Sequence, residues 1–156
     1  MDELATNVDE ITLNLADALN TAKEYDKAIR EYNRILDSKY DSKMIPEKAK
    51  TGLASAYINK ATDLYFDSGN YEEAYNLLFG NEGAIGLTEE ASKSLVGRIK
   101  GISAPGGITS IRMYSEFIRA VNTCAWAYAT LGRIENDRKG IGDPYLEKAR
   151  DLYLAI

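Results

Sequence analysis

The side chains that most often carry enzyme chemistry are nearly missing from this chain. It has no histidine and one cysteine. That excludes Ser-His and Cys-His nucleophilic pairs, an imidazole general base, the HExxH zinc site and any paired-cysteine metal knuckle. Cys124 falls on an apolar helical stripe beside Ala125, where a thiol is expected to be buried and inert. The carboxylate pairs Glu72-Glu73 and Glu89-Glu90 read as first-turn charges that suit the positive end of a helix dipole. Glu135, Asp137 and Asp143 share a segment with Gly140, but their spacing is not that of a calcium loop. Gly80-x-x-Gly83-x-x-Gly86 lacks the preceding strand of a dinucleotide fingerprint. Thr109 or Ser110, after Gly106-Gly107 and near Arg112, has the makings of an anion-binding helix start. No P-loop lysine follows, so an ordinary N-cap is expected. No nucleophile, base and oxyanion donor converge. A noncatalytic chain without metal or cofactor is the expectation.

The elements that must position these residues are helical. Val8, Ile11, Leu15, Ala18 and Leu19 recur at three- and four-residue steps and predict a helix over about 8–22, opened by Asn7 and Glu10 as an N-x-x-E capping box. A break at Lys23-Glu24 leads to a helix over about 25–38. The polar stretch 38–46 reads as a linker, with Pro46 at a helix start. A helix over about 46–68 closes at Gly69-Asn70, and a short one follows over about 71–79. The three glycines then interrupt the pattern. Thr88 is the expected N-cap of a helix over about 88–101. After a loop at 101–108, a helix over about 109–132 stops at Gly132. A charged loop over 133–143 precedes a last helix opened by Pro144. The sum is an all-α chain of about seven helices.

Length and charge set the partner classes. The chain has 156 residues and a net charge of −5, enough for one domain with a core. Residues 1–80 hold 15 acids and 9 bases, a balance of −6, and residues 81–156 hold 9 acids and 10 bases, a balance of +1. A phosphate-tracking protein carries a basic excess, so no nucleic-acid partner is expected. No stretch approaches the roughly 18 apolar residues of a membrane span. Met1-Asp2-Glu3-Leu4 lacks the basic and apolar regions of a signal peptide, and one unpaired cysteine fits a reducing compartment. These point to a cytoplasmic protein. The last five residues, Leu152 to Ile156, are apolar for a chain end, and raise a second expectation: an assembly subunit that pairs with copies of itself through its C-terminal helix.

An internal repeat organises the helices. Leu15-Ala16-x-Ala18-Leu19 is followed by Lys23-x-Tyr25-x-x-Ala28, and Ala61-x-x-Leu64-Tyr65 by Gly69-Asn70-Tyr71-Glu72-Glu73-Ala74. Cys124-Ala125-x-Ala127-Tyr128-x-x-x-Gly132 is followed, after an insertion, by Leu146-Glu147-Lys148-Ala149. Small residues let two helices approach, a glycine permits the turn, and an aromatic two residues on covers it. The pattern resembles the tetratricopeptide repeat (TPR) family. The resemblance implies a single domain over 1–156 built as a TPR-like α-solenoid, with units at about 8–38, 46–80 and 109–156 and an extra helix at about 88–101. Thr12, Ile58 and Val121 stand at the family's early tryptophan position, and Lys23 replaces the first turn glycine. Irregular packing is therefore expected.

In such an array the first helix of each pair lines a concave face. The resemblance places Leu13, Asp17 and Asn20 there in the first unit, Asn59, Asp63 and Phe66 in the second, and Arg119, Asn122 and Trp126 in the third. Asparagines can bond an extended peptide's backbone, and Phe66 and Trp126 can seat an apolar side chain. Both aromatics fit the core equally well. Leu13 and Asp17 cannot supply the cation of the family's carboxylate clamp, and Asp17 and Asp63 would repel a carboxylate. The expected partner is an apolar or basic peptide, or a helix of another protein.

Overall fold

In a computed structural model, residues 2–38, 44–102 and 107–156 are described, with backbone alone for residues 2, 3, 5 and 6. Every regular element among the described residues is helical: α1 (Asp2–Thr21), α2 (Tyr25–Leu36), α3 (Ile45–Phe66), α4 (Tyr71–Phe79), α5 (Ala84–Lys100), α6 (Ile108–Lys139) and α7 (Asp143–Leu154). Most of the 38–46 linker and the centre of the 101–108 loop lie outside the described residues.

Two turns are built alike from unlike residues. Lys23 (φ 64°) and Gly69 (φ 66°) both adopt the left-handed conformation. The next amide in each case reaches back to the preceding helix, Glu24 to Leu19 at 2.9 Å and Asn70 to Leu64 at 2.9 Å. Asn70 caps α4 by accepting from the Glu73 backbone amide, and its side-chain amide donates to the Glu73 carboxylate at 3.1 Å. The cap satisfies one free N–H of the first turn. Ala28 and Ala74, five residues past each turn, are fully buried. At the other end of the linker, Pro46 sits in the first turn of α3.

Several boundaries differ from the sequence expectation. α1 begins at Asp2, so Asn7 is inside the helix and caps nothing. Acids at positions 2 and 3 suit a helix start, and no breaker precedes Asn7. α5 starts at Ala84 behind an N-capping Gly83. Thr88 is buried within it, its hydroxyl donating to Ala84 O at 2.8 Å and Ile85 O at 3.0 Å, and Gly86 is helical. The long helix does not stop at Gly132 but continues to Lys139 and ends at the left-handed Gly140. Gly132 is a packing residue: a Cβ there would meet Leu146 Cδ2 at 2.7 Å, and one on Gly142 would strike the Gly132 carbonyl. Close approach of α7, not chain reversal, is what this glycine permits. The expected loop 133–143 is therefore mostly helix, and it buries Ile134 and Glu135.

α1, α3 and α6 pack in that order as neighbours, with α2 against both α1 and α3 and with α7 against α6. α3 and α6 run parallel: Met44 and Met113 line one cleft near their starts, and Tyr65 donates to Asp137 at 2.6 Å near their ends. α4 turns back along α3, and α5 carries on in the same direction against both α3 and α6. Lys50 pairs with Glu90 at 3.2 Å and Glu47 with Arg98 at 2.6 Å, so late residues of α5 lie beside early residues of α3. α5 is thus the continuation of α4 past the Gly80–Gly83 break rather than a separate insertion. The main core joins Leu13, Tyr32, Ile58, Leu78, Leu131 and Ile134. A second cluster, Met44, Ala91, Leu95 and Ala120, seals α5 to α6. Each large apolar side chain so buried contributes roughly 1.5–3 kcal/mol.

Candidate partner-binding face

The α1–α3–α6 layer brings three of the expected site residues, Asp17, Asn20 and Asn59, into one neighbourhood. The Asn20 amide donates to Ser55 Oγ at 3.2 Å, and its carbonyl accepts from Asn59 at 3.3 Å. One turn earlier on α1, Asp17 accepts from the Tyr32 hydroxyl. The Tyr32 ring packs where Gly52 leaves room, since a Cβ at position 52 would fall into the ring. Burial first, then the hydrogen bond to Asp17 and its negative charge, hold the Tyr32 phenol far above its usual value. Arg119 on α6 acts weakly in the opposite direction on the same phenol. Arg119 also pairs with Glu116 at 3.5 Å. Asn122, one turn on, is exposed.

The remaining expected residues are elsewhere. Leu13 is 8% exposed and belongs to the core, so it lines no groove. The resemblance placed it on the concave face, but Leu13 and Ala16 make up the side of α1 that packs into the core. Asp63 lies in a different cleft of about 480 Å³, between the α1–α2 turn and the end of α3, with Tyr25, Lys60 and Asp67. Lys60 bonds Asp26 there at 2.7 Å, and this pairing raises the lysine's pKa. Trp126 is half-buried against the main core. Cys124 is buried and free, and burial pushes its thiol up, so it is held as a neutral thiol.

Phe66 belongs to an aromatic belt that sequence reasoning missed. Its ring meets Tyr65 edge-on at 5.0 Å, and Arg133 stands 5.9 Å from its centroid. From Tyr65 the belt continues through Tyr71, Tyr75, Phe79 and Tyr145 at centroid separations of 6.5, 5.7, 5.7 and 6.2 Å. Such contacts contribute about 0.5–1.5 kcal/mol each beyond area burial. Tyr71 donates to the buried Glu135, and Arg138 stacks 3.7 Å over the Tyr71 ring. Burial first and the Glu135 bond second push the Tyr71 phenol up to about 12. The signal was present as Tyr71, Tyr75 and Phe79 at four-residue steps, one face of α4. Its partner Glu135 was masked by the expectation of a loop. Glu135 and Asp137 lie in α6, and no cluster of three or more metal-binding side chains forms among the described residues. At the start of α6 the N-cap is Gly107 without a side-chain bond, and neither Thr109 nor Ser110 caps it.

A second missed cluster ties α3 to α5. Glu47 is 2% exposed, and its Oε1 accepts from both Ser94 and Arg98 Nε at 2.6 Å. No helix is long and apolar enough to cross a membrane among the described residues. Compared with protein-family models, curated proteins and solved structures, the chain matches none.

Proposed function

We propose that this chain is a noncatalytic interaction module of the tetratricopeptide type, which binds an extended peptide or helix of a partner on the α1–α3–α6 face. The observation that carries the reading is the convergence of Asp17, Asn20 and Asn59 from α1 and α3, two helices that are not consecutive in the chain. The like-built turns at Lys23 and Gly69 and the buried alanines after them support the repeat. Asn20 and Asn59 supply donors and acceptors for a peptide backbone, and Arg119, Asn122 and Trp126 of the neighbouring α6 extend the proposed surface. Leu13, Asp63 and Phe66 drop out of the set. The acidic balance of the first half favours a basic or apolar partner over an acidic one.

The test is peptide-array binding with basic, apolar and acidic extended sequences, followed by titration of the best binder. Asn122→Ala with Arg119→Ala should weaken binding about tenfold, which is 1.4 kcal/mol. Undiminished binding by the double variant, or preference for acidic peptides, overturns the reading. The assembly-subunit alternative rests on Tyr153, Leu154 and Ile156, all exposed at the end of α7. It predicts association lost in Leu154→Glu.

A further inference from the structure

α1 has two faces of opposite character. One packs into the molecule through Leu13 and Ala16. The other carries Leu4, Val8, Ile11 and Leu15, which are 68, 54, 68 and 49% exposed. Large apolar side chains so exposed in a row are unusual on an isolated chain.

Their spacing is four, three, four, and Ala18, also exposed, continues it by three. That is the a/d alternation of a coiled-coil seam, with Val8 and Leu15 at a and Leu4, Ile11 and Ala18 at d. The flanking positions are Asn7, Thr12, Asn14, Leu19 and Thr21, none of them charged. Yet the α1 sequence holds five acids and no base. In this register Asp2, Glu3, Asp9, Glu10 and Asp17 all fall at b and c. The structure shows where the last three are directed: Asp9 accepts from Ser38 at 3.2 Å, Asp17 from Tyr32, and Glu10 lines a cleft with Lys48 and Arg112. These three acids of α1 are turned toward their own chain, and the outward seam is neutral.

We propose that the outward face of α1 docks against α1 of a second copy of this chain, as a short symmetric two-helix coiled coil. The charge pattern selects the occupant. Seams that choose a foreign helix do so with complementary charges at the flanks. A seam with neutral flanks has no such selector, and it meets an identical helix without repulsion. A two-fold axis makes the contact self-complementary and closed. The apolar surface at the end of α7 is a poorer match for α1, because its exposed large residues, Tyr153, Leu154 and Ile156, make too short a row to cover α1 from Leu4 to Leu15. From Leu4 to Ala18 the seam is about 21 Å long at 1.5 Å per residue. It is near the small end of specific interfaces, which bury about 1,200 Å² or more, so dissociation in the micromolar range or weaker is expected.

The full chain, Ile11→Lys, Val8→Lys and Leu154→Glu are compared by sedimentation velocity from about 1 to 500 μM, with circular dichroism as a fold control. The wild type should pass from monomer to dimer, both α1 variants should stay monomeric at every concentration, and Leu154→Glu should dimerise as the wild type does. Ile11 and Val8 are exposed in the monomer, so their replacement leaves the core intact. A wild type that is monomeric throughout overturns the proposal, as does dimerisation undiminished in both α1 variants. Dimerisation lost only in Leu154→Glu overturns it in favour of the α7 surface.

Discussion

Lys23 and Gly52 show how single side chains are constrained by backbone geometry and by close approach. Lys23 holds φ at 64°, a conformation that costs a non-glycine residue about 1–2 kcal/mol and glycine almost nothing. Lys23→Gly should therefore raise stability by about 1 kcal/mol, partly offset by the freer unfolded chain. Gly52→Ala should do the reverse. Its methyl would overlap the Tyr32 ring, and overpacking a core costs about 1–3 kcal/mol. Urea denaturation of both variants against wild type checks the two signs together. At this scale the sequence was informative about identity and silent about environment. Lys23 was legible as a substitute for a turn glycine, because the neighbouring repeat showed what belonged there. The need for a glycine at position 52 was not, because the ring that excludes a side chain comes from 20 residues earlier in the chain.

At the scale of the element, α5 is held by a buried charge rather than by apolar packing alone. Glu47 on α3 is almost wholly buried, and Ser94 and Arg98 of α5 both donate to its Oε1. Removing one partner of a buried pair leaves the other uncompensated, at a cost of about 3–5 kcal/mol. Arg98→Ala should lose stability of that order, whereas Lys50→Ala, which breaks the exposed pair to Glu90, should lose under 1 kcal/mol. Chemical denaturation of the two variants measures the contrast. α5 also explains why the repeat spacing looked irregular. The sequence places Ala74 and Ala149 75 residues apart, and the excess over one repeat reads as inserted material. Part of the irregularity is a second helix that breaks at Gly80–Gly83 and resumes along α3 and α6. Glycine marked a break correctly there and wrongly at Gly132, since the residue serves turning and close packing alike.

Across the whole molecule, tyrosine hydroxyls bonded to carboxylates join the layers. Tyr71 bonds Glu135 across α4 and α6, and Tyr128 bonds Glu89 across α6 and α5 at 3.3 Å. Both phenols are raised to about 12, burial being the first cause in each. A phenol raised above its unfolded value of about 10 favours the protonated, folded form. Its stabilising contribution is complete below pH 10 and is lost as pH rises toward 12. Stability should fall over that window, and less steeply in the Tyr71→Phe, Tyr128→Phe double variant than in wild type. Thermal melts at stepped alkaline pH provide the measurement, with the variant removing the background from lysine titration.

The sequence by itself determined the helical class, the turn at Gly69-Asn70, the short helix over 71–79 and the burial of Cys124. These follow from periodicity, capping and side-chain polarity, all local quantities. Tertiary structure decided which helical face meets which neighbour. Leu13 repeats at the same step as an outward residue, yet it is core. Glu135 and Arg138 were read as loop charges, yet they hold an aromatic belt. Phe66 and Asp63 share a helix with Asn59 and lie in different clefts. A helix of 3.6 residues per turn presents every direction within a few residues. Sequence spacing therefore sorts residues into stripes without saying what covers each stripe. On α1 one stripe is covered by its own chain, and the other, Leu4 to Leu15, is left open.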